Sequence, residues 1–384
     1  MVDGPLTRAV HGGRDAKEPG PLTAPIVQTS TFAVESEEAL AAGALEPLGS
    51  AFYTRYGNPT LARAAAAVAD LEGAEAGIVV GSGMAAATTI ALAFLRAGDH
   101  VVAQRSCYGG TSALLTDLLP RLGVTATQVE QESPDEWRAA IRPETRLLLV
   151  ETPSNPKLEI TDLTAVVELA AEHGILTAAD NTFASPVNQR PHEFGIDLVW
   201  HSATKYLGGH SDLSAGVVTG RAELLEQVWR TLIITGPVLS PHDAWLLLRG
   251  IRTLPLRIRQ HNRNGEAVAR MLAAHPAVER VHHPSLPGNA TAARQMSGYG
   301  GVVSFVPEGG PEAAVRIIDR LRLFRRAASL GSVESLVVRP AAMWAGMLSE
   351  EELRRTGIDP ALIRLAIGVE DTEDLLADLA QALG

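Results

Sequence analysis

Thirty arginines and three lysines supply the basic side chains of this 384-residue chain, so chemistry that needs a primary amine has only Lys17, Lys157 and Lys205 to draw on. A neutral amine can condense with an aldehyde or carry a proton; an arginine guanidinium does not lose its proton and can do neither. Lys205 stands in His201-Ser202-Ala203-Thr204-Lys205-Tyr206-Leu207-Gly208-Gly209-His210, next to two hydroxyls and a glycine pair. Gly81-Ser82-Gly83-Met84 opens an alanine-rich stretch. Amides at a helix N-terminus bind phosphate, and glycine permits close approach. Asp180-Asn181-Thr182 and Glu151-Thr152-Pro153-Ser154-Asn155-Pro156 place a carboxylate and a proline-framed asparagine directly after apolar runs.

The elements that must position these residues follow from periodicity. Strands are expected over Gly77–Val80, His100–Gln104, Arg146–Glu151, Ile175–Ala179 and Asp197–Trp200. Between them, helices are expected over Met84–Arg96, Thr111–Leu122 and Leu163–His173, preceded by a close-packing helix over Leu61–Leu71. Alternation of this kind implies an α/β fold with a mostly parallel sheet covered on both faces, whose ligands bind beyond the carboxyl ends of the strands. After Pro241 a long helical stretch from His242 to Met271, interrupted near Thr253 to Pro255, begins a smaller C-terminal α/β domain. The expected division is an arm over 1–60, rich in proline and without its own core, a large domain over 61–240 and a C-terminal domain over 241–384.

A phosphate site, an acid and an amine at neighbouring strand ends meet the requirements of pyridoxal phosphate. The amine takes the aldehyde, the acid keeps the pyridine nitrogen protonated so that the ring accepts electrons, and the hydroxyls and amides hold the phosphate. Gly81-Ser82-Gly83-Met84-Ala85-Ala86 also satisfies a dinucleotide fingerprint. That alternative needs an acid at the end of the next strand, and Gln104-Arg105 stands there, which disfavours NAD though not NADP.

Composition narrows the classes further. A formal charge of -11 and no concentrated basic patch argue against a nucleic-acid partner. One cysteine, Cys107, excludes an internal disulfide and a multi-cysteine metal cage and fits a reducing compartment. Met1 to Gly20 lacks the apolar core of a signal peptide, and no apolar run of about 18 residues offers a membrane span, so a cytoplasmic protein is expected. No histidine spacing suggests a metal site.

The chain resembles the Cys/Met-metabolism family of pyridoxal-phosphate enzymes, which includes cystathionine γ-synthase, cystathionine γ-lyase and methionine γ-lyase. The resemblance is carried along nearly the whole chain, beginning with Tyr53-Thr54-Arg55, Asn58-Pro59-Thr60, Gly81 to Met84 and Tyr108-Gly109-Gly110. It continues through Glu151 to Pro156, Asp180 to Thr182, Ser202 to Lys205, Ser329-Leu330-Gly331 and Ile363-Arg364-Leu365. It implies an aspartate-aminotransferase-like fold of type I. It also implies that Lys205 binds the cofactor covalently and shuttles protons, that Asp180 pairs with the pyridinium and that Tyr108 stacks on the ring and serves as acid or base. Ser82, Gly83, Met84, Ser202 and Thr204 would hold the phosphate, with Tyr53 and Arg55 reaching it from a neighbouring subunit. Arg364, Asn155 and Ser329 would bind the substrate α-carboxylate. A homotetramer built from dimers with shared sites is the implied assembly.

Two positions bear on the reaction. Members of the family that handle cystathionine tend to have an arginine five residues after the stacking tyrosine and a glutamate just before Ser-Leu-Gly; here Ala113 and Ala328 stand there. A charged distal group would be desolvated without a partner, which is costly. The expected reaction is therefore γ-elimination on a methionine- or homocysteine-like amino acid, giving a 2-oxo acid, ammonia and a thiol. The alternatives are γ-replacement, of cystathionine γ-synthase or O-acylhomoserine sulfhydrylase type, and cystathionine γ-lyase activity. Gly110 departs from the cysteine of the methionine γ-lyase pattern. Trp344, in Pro340-Ala341-Ala342-Met343-Trp344-Ala345, and Ile233-Ile234 depart from the wider family pattern.

Overall fold

Seven short strands, β1 (Ala76–Val80), β2 (His100–Gln104), β3 (Thr125–Val129), β4 (Thr145–Glu151), β5 (Leu176–Asp180), β6 (Leu198–Ser202) and β7 (Gly216–Gly220), pair in the order β1-β7-β6-β5-β4-β2-β3. β2 to β6 run parallel, and β7 lies antiparallel to both its neighbours, β1 and β6. β1 therefore points the same way as β6, and the carboxyl ends of β1, β4, β5 and β6 share one edge of the sheet. The computed structural model describes residues 4–13, 21–49, 51–344 and 358–384; Lys17, Ala345 and the Trp344 side chain lie outside what it describes.

The central strands are apolar along their length because both faces are covered. β2 is buried throughout, and Leu147 to Glu151 of β4 are buried as well. Helix Leu163–His173 starts where Asp162 Oδ1 accepts the amides of Thr164 and Ala165, and ends at Gly174 in the left-handed region. Helix Pro59–Glu72 is small on its packed side, with Ala64, Ala65 and Ala67 buried. A Cβ on Gly77 of β1 would come 2.7 Å from Ala65 O, so glycine and alanine together allow this helix to lie against the strand. The helix expected over Thr111–Leu122 is present from Gly109 to Arg121, with a π turn at Leu114–Leu118.

Two strands of this sheet fall outside the sequence reading. β3 is an edge strand with little apolar character, and β7 is five residues bounded by glycines. The arm, expected to be irregular, contains two short helices, Pro5–His11 and Glu37–Leu45. The first lies on helix Pro59–Glu72, where Arg8 Nη1 donates to Asp70 O at 2.9 Å and Ala9 is buried. Tertiary contact sustains a helix that seven residues could not form alone.

Beyond helices Pro241–Ile251 and Leu254–Ala273, a second sheet forms from β8 (Val278–His282), β9 (Val302–Pro307), β10 (Arg325–Arg326), β11 (Leu336–Val338) and β12 (Ile363–Ala366), in the order β10-β11-β12-β9-β8. His261, on helix Leu254–Ala273, joins the two parts of the chain. It is fully buried, its Nδ1 donates to Ile367 O at 2.7 Å and its ring meets Tyr206 edge-on. Burial pushes its pKa down to about 4. The folded state thus prefers the neutral ring, while the unfolded chain takes up a proton below about 6.5. His261 contributes fully above pH 6.5 and loses that contribution as pH falls toward 4, at about 1 kcal/mol per pH unit. The urea midpoint of wild type should accordingly drop more between about pH 7 and 5 than that of His261→Asn. Equal drops would refute this assignment.

Candidate active site

Each strand end on the shared edge delivers one chemical group. After β1, Ser82 is the N-cap of helix Gly83–Phe94, and its Oγ accepts Ala85 N at 3.0 Å. The first-turn amides of that helix have no acceptor within the helix. The loop after β6 lies directly against it: a Cβ on Gly83 would sit 2.7 Å from Ser202 Cβ and 2.8 Å from Ser202 Cα. Only glycine allows the two segments to form one cradle. Gly83→Ala should therefore force them apart, costing about 1–3 kcal/mol and lowering cofactor affinity about tenfold or more. Reconstitution with pyridoxal phosphate measures it, and unchanged affinity would remove the cradle from the cofactor site.

Asp180, at the end of β5, is buried, and its Oδ1 accepts Thr182 N at 2.9 Å. Thr182 Oγ1 in turn accepts Ser202 N at 2.8 Å, tying the β5 and β6 ends together. Burial raises the Asp180 pKa; the Thr182 hydrogen bonds and His201 counter it. Beneath lies a pair the sequence does not announce: Glu72 and His201 are both buried, with Nε2 and Oε1 at 2.5 Å.

Lys205 Nζ donates to Ser329 Oγ at 2.9 Å. Burial lowers the Lys205 pKa, helped by Arg364 and opposed by Asp180, so the neutral amine is favoured. The backbone after it is clamped by Arg257, whose Nη1 donates to Tyr206 O and whose Nη2 donates to Gly250 O, each at 2.8 Å. On the other side the Ser-Leu-Gly loop approaches so closely that a Cβ on Gly331, at φ +75, would meet Tyr206 N at 2.7 Å. Ser329 itself is held at φ +107.

Arg364, on β12 of the second sheet, reaches across to the large sheet. Its Nη1 donates to Asn155 Oδ1 at 2.9 Å and its Nη2 donates to Ser329 O at 3.1 Å. It is buried, its Nε has no acceptor among the described residues, and burial lowers its pKa to about 10. Tyr108 is partly exposed beside Met84, and a Cβ on Gly110 would meet Tyr108 Cε1 at 2.6 Å and Met84 Sδ at 2.8 Å. The absent side chain at position 110 thus leaves room for the Tyr108 ring.

The sequence-derived residues fall into one connected group with two exceptions. Thr204 Oγ1 is engaged by the backbone of Ala215, accepting its N–H at 3.0 Å. Tyr53 and Arg55 form a separate cluster, in which the Arg55 guanidinium lies 5.4 Å from the Tyr53 ring centre and 5.1 Å from that of Tyr56 and donates to Ile233 O. A cavity of about 730 Å³ opens elsewhere, between helix Leu163–His173 and the loop after β8, and is lined by neither Lys205 nor Asp180. The chemistry follows the strand ends, not that cavity. Glu151, Arg257 and the Glu72–His201 pair act through residues distant in sequence, and no local pattern assigns them a role.

The donor set fits pyridoxal phosphate: a glycine cradle with first-turn amides and hydroxyls for phosphate, a buried carboxylate and a half-buried amine. The sequence matches the family described as Cys/Met metabolism PLP-dependent enzyme over residues 6–384. L-methionine gamma-lyase of Pseudomonas deceptionensis is 44% identical over 384 residues, covering 98% of this chain and 96% of the relative. Cystathionine gamma-lyase of Bacillus subtilis is 43% identical, covering 98% of each. The crystal structure of metB from Corynebacterium glutamicum superposes with a TM-score of 0.93 at 39% identity, covering 100% of this chain and 98% of that one. Matched along its length in sequence and fold, and carrying the cofactor's donor set at its strand ends, the chain belongs to the Cys/Met metabolism family of PLP-dependent enzymes.

Proposed function

We propose that the chain is a carbon–sulfur lyase that cleaves methionine or a homocysteine-like amino acid by γ-elimination. One molecule of substrate and one of water give a 2-oxo acid, ammonia and a thiol. The observation that carries this reading is the pair of methyl side chains at Ala113, in the turn that follows Tyr108, and Ala328, next to Ser329. Neither can pair with a second ionic amino-acid end, so a neutral thioether suits the site. The name of the 44%-identical relative supports it.

Pyridoxal phosphate supplies an aldehyde for the substrate amine and a ring that holds negative charge. Lys205 would hold the cofactor through its amine and, as a neutral amine, would move the α-proton. Asp180 keeps the pyridine nitrogen protonated. Ser82, Gly83, Met84, Ser202 and Thr204 hold the phosphate, and Tyr53 and Arg55 of a neighbouring subunit complete that site. Arg364, Asn155 and Ser329 orient the α-carboxylate, and Tyr108 covers the ring and exchanges a proton at the leaving group. The reading includes a cytoplasmic homotetramer. Leu22, Leu45 and Ile234, each more than three-quarters exposed on the single chain, offer apolar surface for association, and no described helix is long and apolar enough to cross a membrane.

The test is incubation of holoenzyme with methionine while 2-oxobutyrate and methanethiol are followed. Stoichiometric release of both is expected. No keto acid from methionine, with rapid thiol consumption on O-acetylhomoserine, would replace this reading by γ-replacement; faster turnover of cystathionine would replace it by the activity named for the Bacillus subtilis relative.

A further inference from the structure

Glu151 ends β4 and is 3% exposed, yet no role has been given to its carboxylate. Its backbone is already fixed: Gln104 Oε1 accepts Glu151 N at 2.8 Å, and Gln104 Nε2 donates to Glu151 O at 2.7 Å. The side chain is therefore not needed to hold the strand end. Instead its two oxygens part company. Oε2 accepts the backbone amide of Tyr108 at 2.8 Å, in the loop after β2, and Oε1 accepts the backbone amide of Asn155 at 2.8 Å, in the loop after β4.

We propose that Glu151 is a positioning residue that holds Tyr108 and Asn155 in a common frame, so that the group over the cofactor and the group that orients the α-carboxylate keep a set separation. The inference rests on the roles given above to Tyr108 and Asn155. Asn155 passes the constraint to Arg364 through its Oδ1, and Arg364 passes it to the Ser329 carbonyl, beside the hydroxyl that meets Lys205 Nζ. A carboxylate is the side chain for this task because it offers two acceptor oxygens and no donor. Glutamine, of equal length, would turn an NH₂ toward one of the two amides. Aspartate keeps the charge but is one methylene shorter and cannot span both loops. Burial and then Asp180 raise the Glu151 pKa, against the two amides and Arg364. Burial keeps the pKa well above the ordinary carboxylate range, and the two amide hydrogen bonds counter that cost only in part.

The test compares wild type, Glu151→Gln and Glu151→Asp as holoenzymes. It measures bound cofactor per subunit, kcat and KM for methionine, and the Kd of glycine, which has no γ-carbon to cleave, from the change in cofactor absorbance. Per cofactor-loaded subunit, kcat/KM of Glu151→Gln should fall about 30-fold or more, divided between kcat and KM, and glycine should bind about tenfold more weakly. In an Asn155→Ala background the same substitution should weaken glycine by less than about threefold, because the two residues act as one unit. Glu151→Asp should show the same pattern of losses. Loaded subunits with kcat, KM and glycine affinity within about twofold of wild type would overturn the proposal, since a purely structural residue lowers only the loaded fraction. If wild type releases no keto acid from methionine, the lyase reading fails, while the glycine titration still decides the role of Glu151.

Discussion

Lys205→Arg holoenzyme should turn over amino-acid substrate at least about 10³-fold more slowly than wild type, despite the retained positive charge. The reason lies in the state of the amine rather than in its charge. Lys205 Nζ is held by Ser329 Oγ in surroundings where burial and Arg364 favour the neutral form. A guanidinium in the same place stays protonated, takes no aldehyde and accepts no α-proton. Lys205→Ala should behave alike and should also lose the visible absorbance band of covalently held cofactor. Rate assays with methionine and an absorbance spectrum after reconstitution check both. Retained turnover in the arginine variant would overturn the assignment of the site. Lys157, half-buried with Nζ 3.9 Å from Glu159 Oε1, serves as a control: Lys157→Arg keeps a donor and a charge there and should leave activity near wild type.

The second large effect is expected at Arg364. Its planar fork spans Asn155 Oδ1 and Ser329 O while Nε has no acceptor among the described residues, so the guanidinium is held from two sides with one donor unused. If Arg364 grips the substrate carboxylate as proposed, Arg364→Ala should lower kcat/KM by about 10²- to 10⁴-fold, the scale of about 3–5 kcal/mol for breaking a buried charge pair. Most of the loss should appear in KM. Arg364→Lys restores the charge but not the fork and should recover only part of it. Initial rates over a substrate series decide the matter; an unchanged KM in Arg364→Ala would move the carboxylate site elsewhere.

The sequence alone pointed to the cofactor, because that inference depends on residue type. Lys205 among three lysines, Asp180 after an apolar run and Gly81-Ser82-Gly83 before a helix stand out by residue type alone as groups suited to the cofactor, and the parallel strands before them are legible because strands covered on both faces are apolar in continuous runs. β3 and β7 were missed for the complementary reason: one is a half-exposed edge and the other a glycine-bounded five-residue segment, and their strand character comes from neighbours contributed by distant parts of the chain. The arm helices likewise depend on contacts or caps that outweigh weak local propensity.

Tertiary structure decided the relations among the groups. Arg364 and Asn155 are 209 residues apart and meet because β12 of the second sheet faces the end of β4. Gly83 reads as a flexible position, and only the approach of Ser202 shows that a side chain there would collide. Glu151 is part of a recognisable segment, but that its two oxygens take amides from two loops follows from the adjacency of β2 and β4, which lie next to each other although β3 intervenes in sequence. Residue type and local spacing set what each group can do. Sheet order, close backbone approach and burial set which groups act together, because these depend on contacts between segments that no local pattern records.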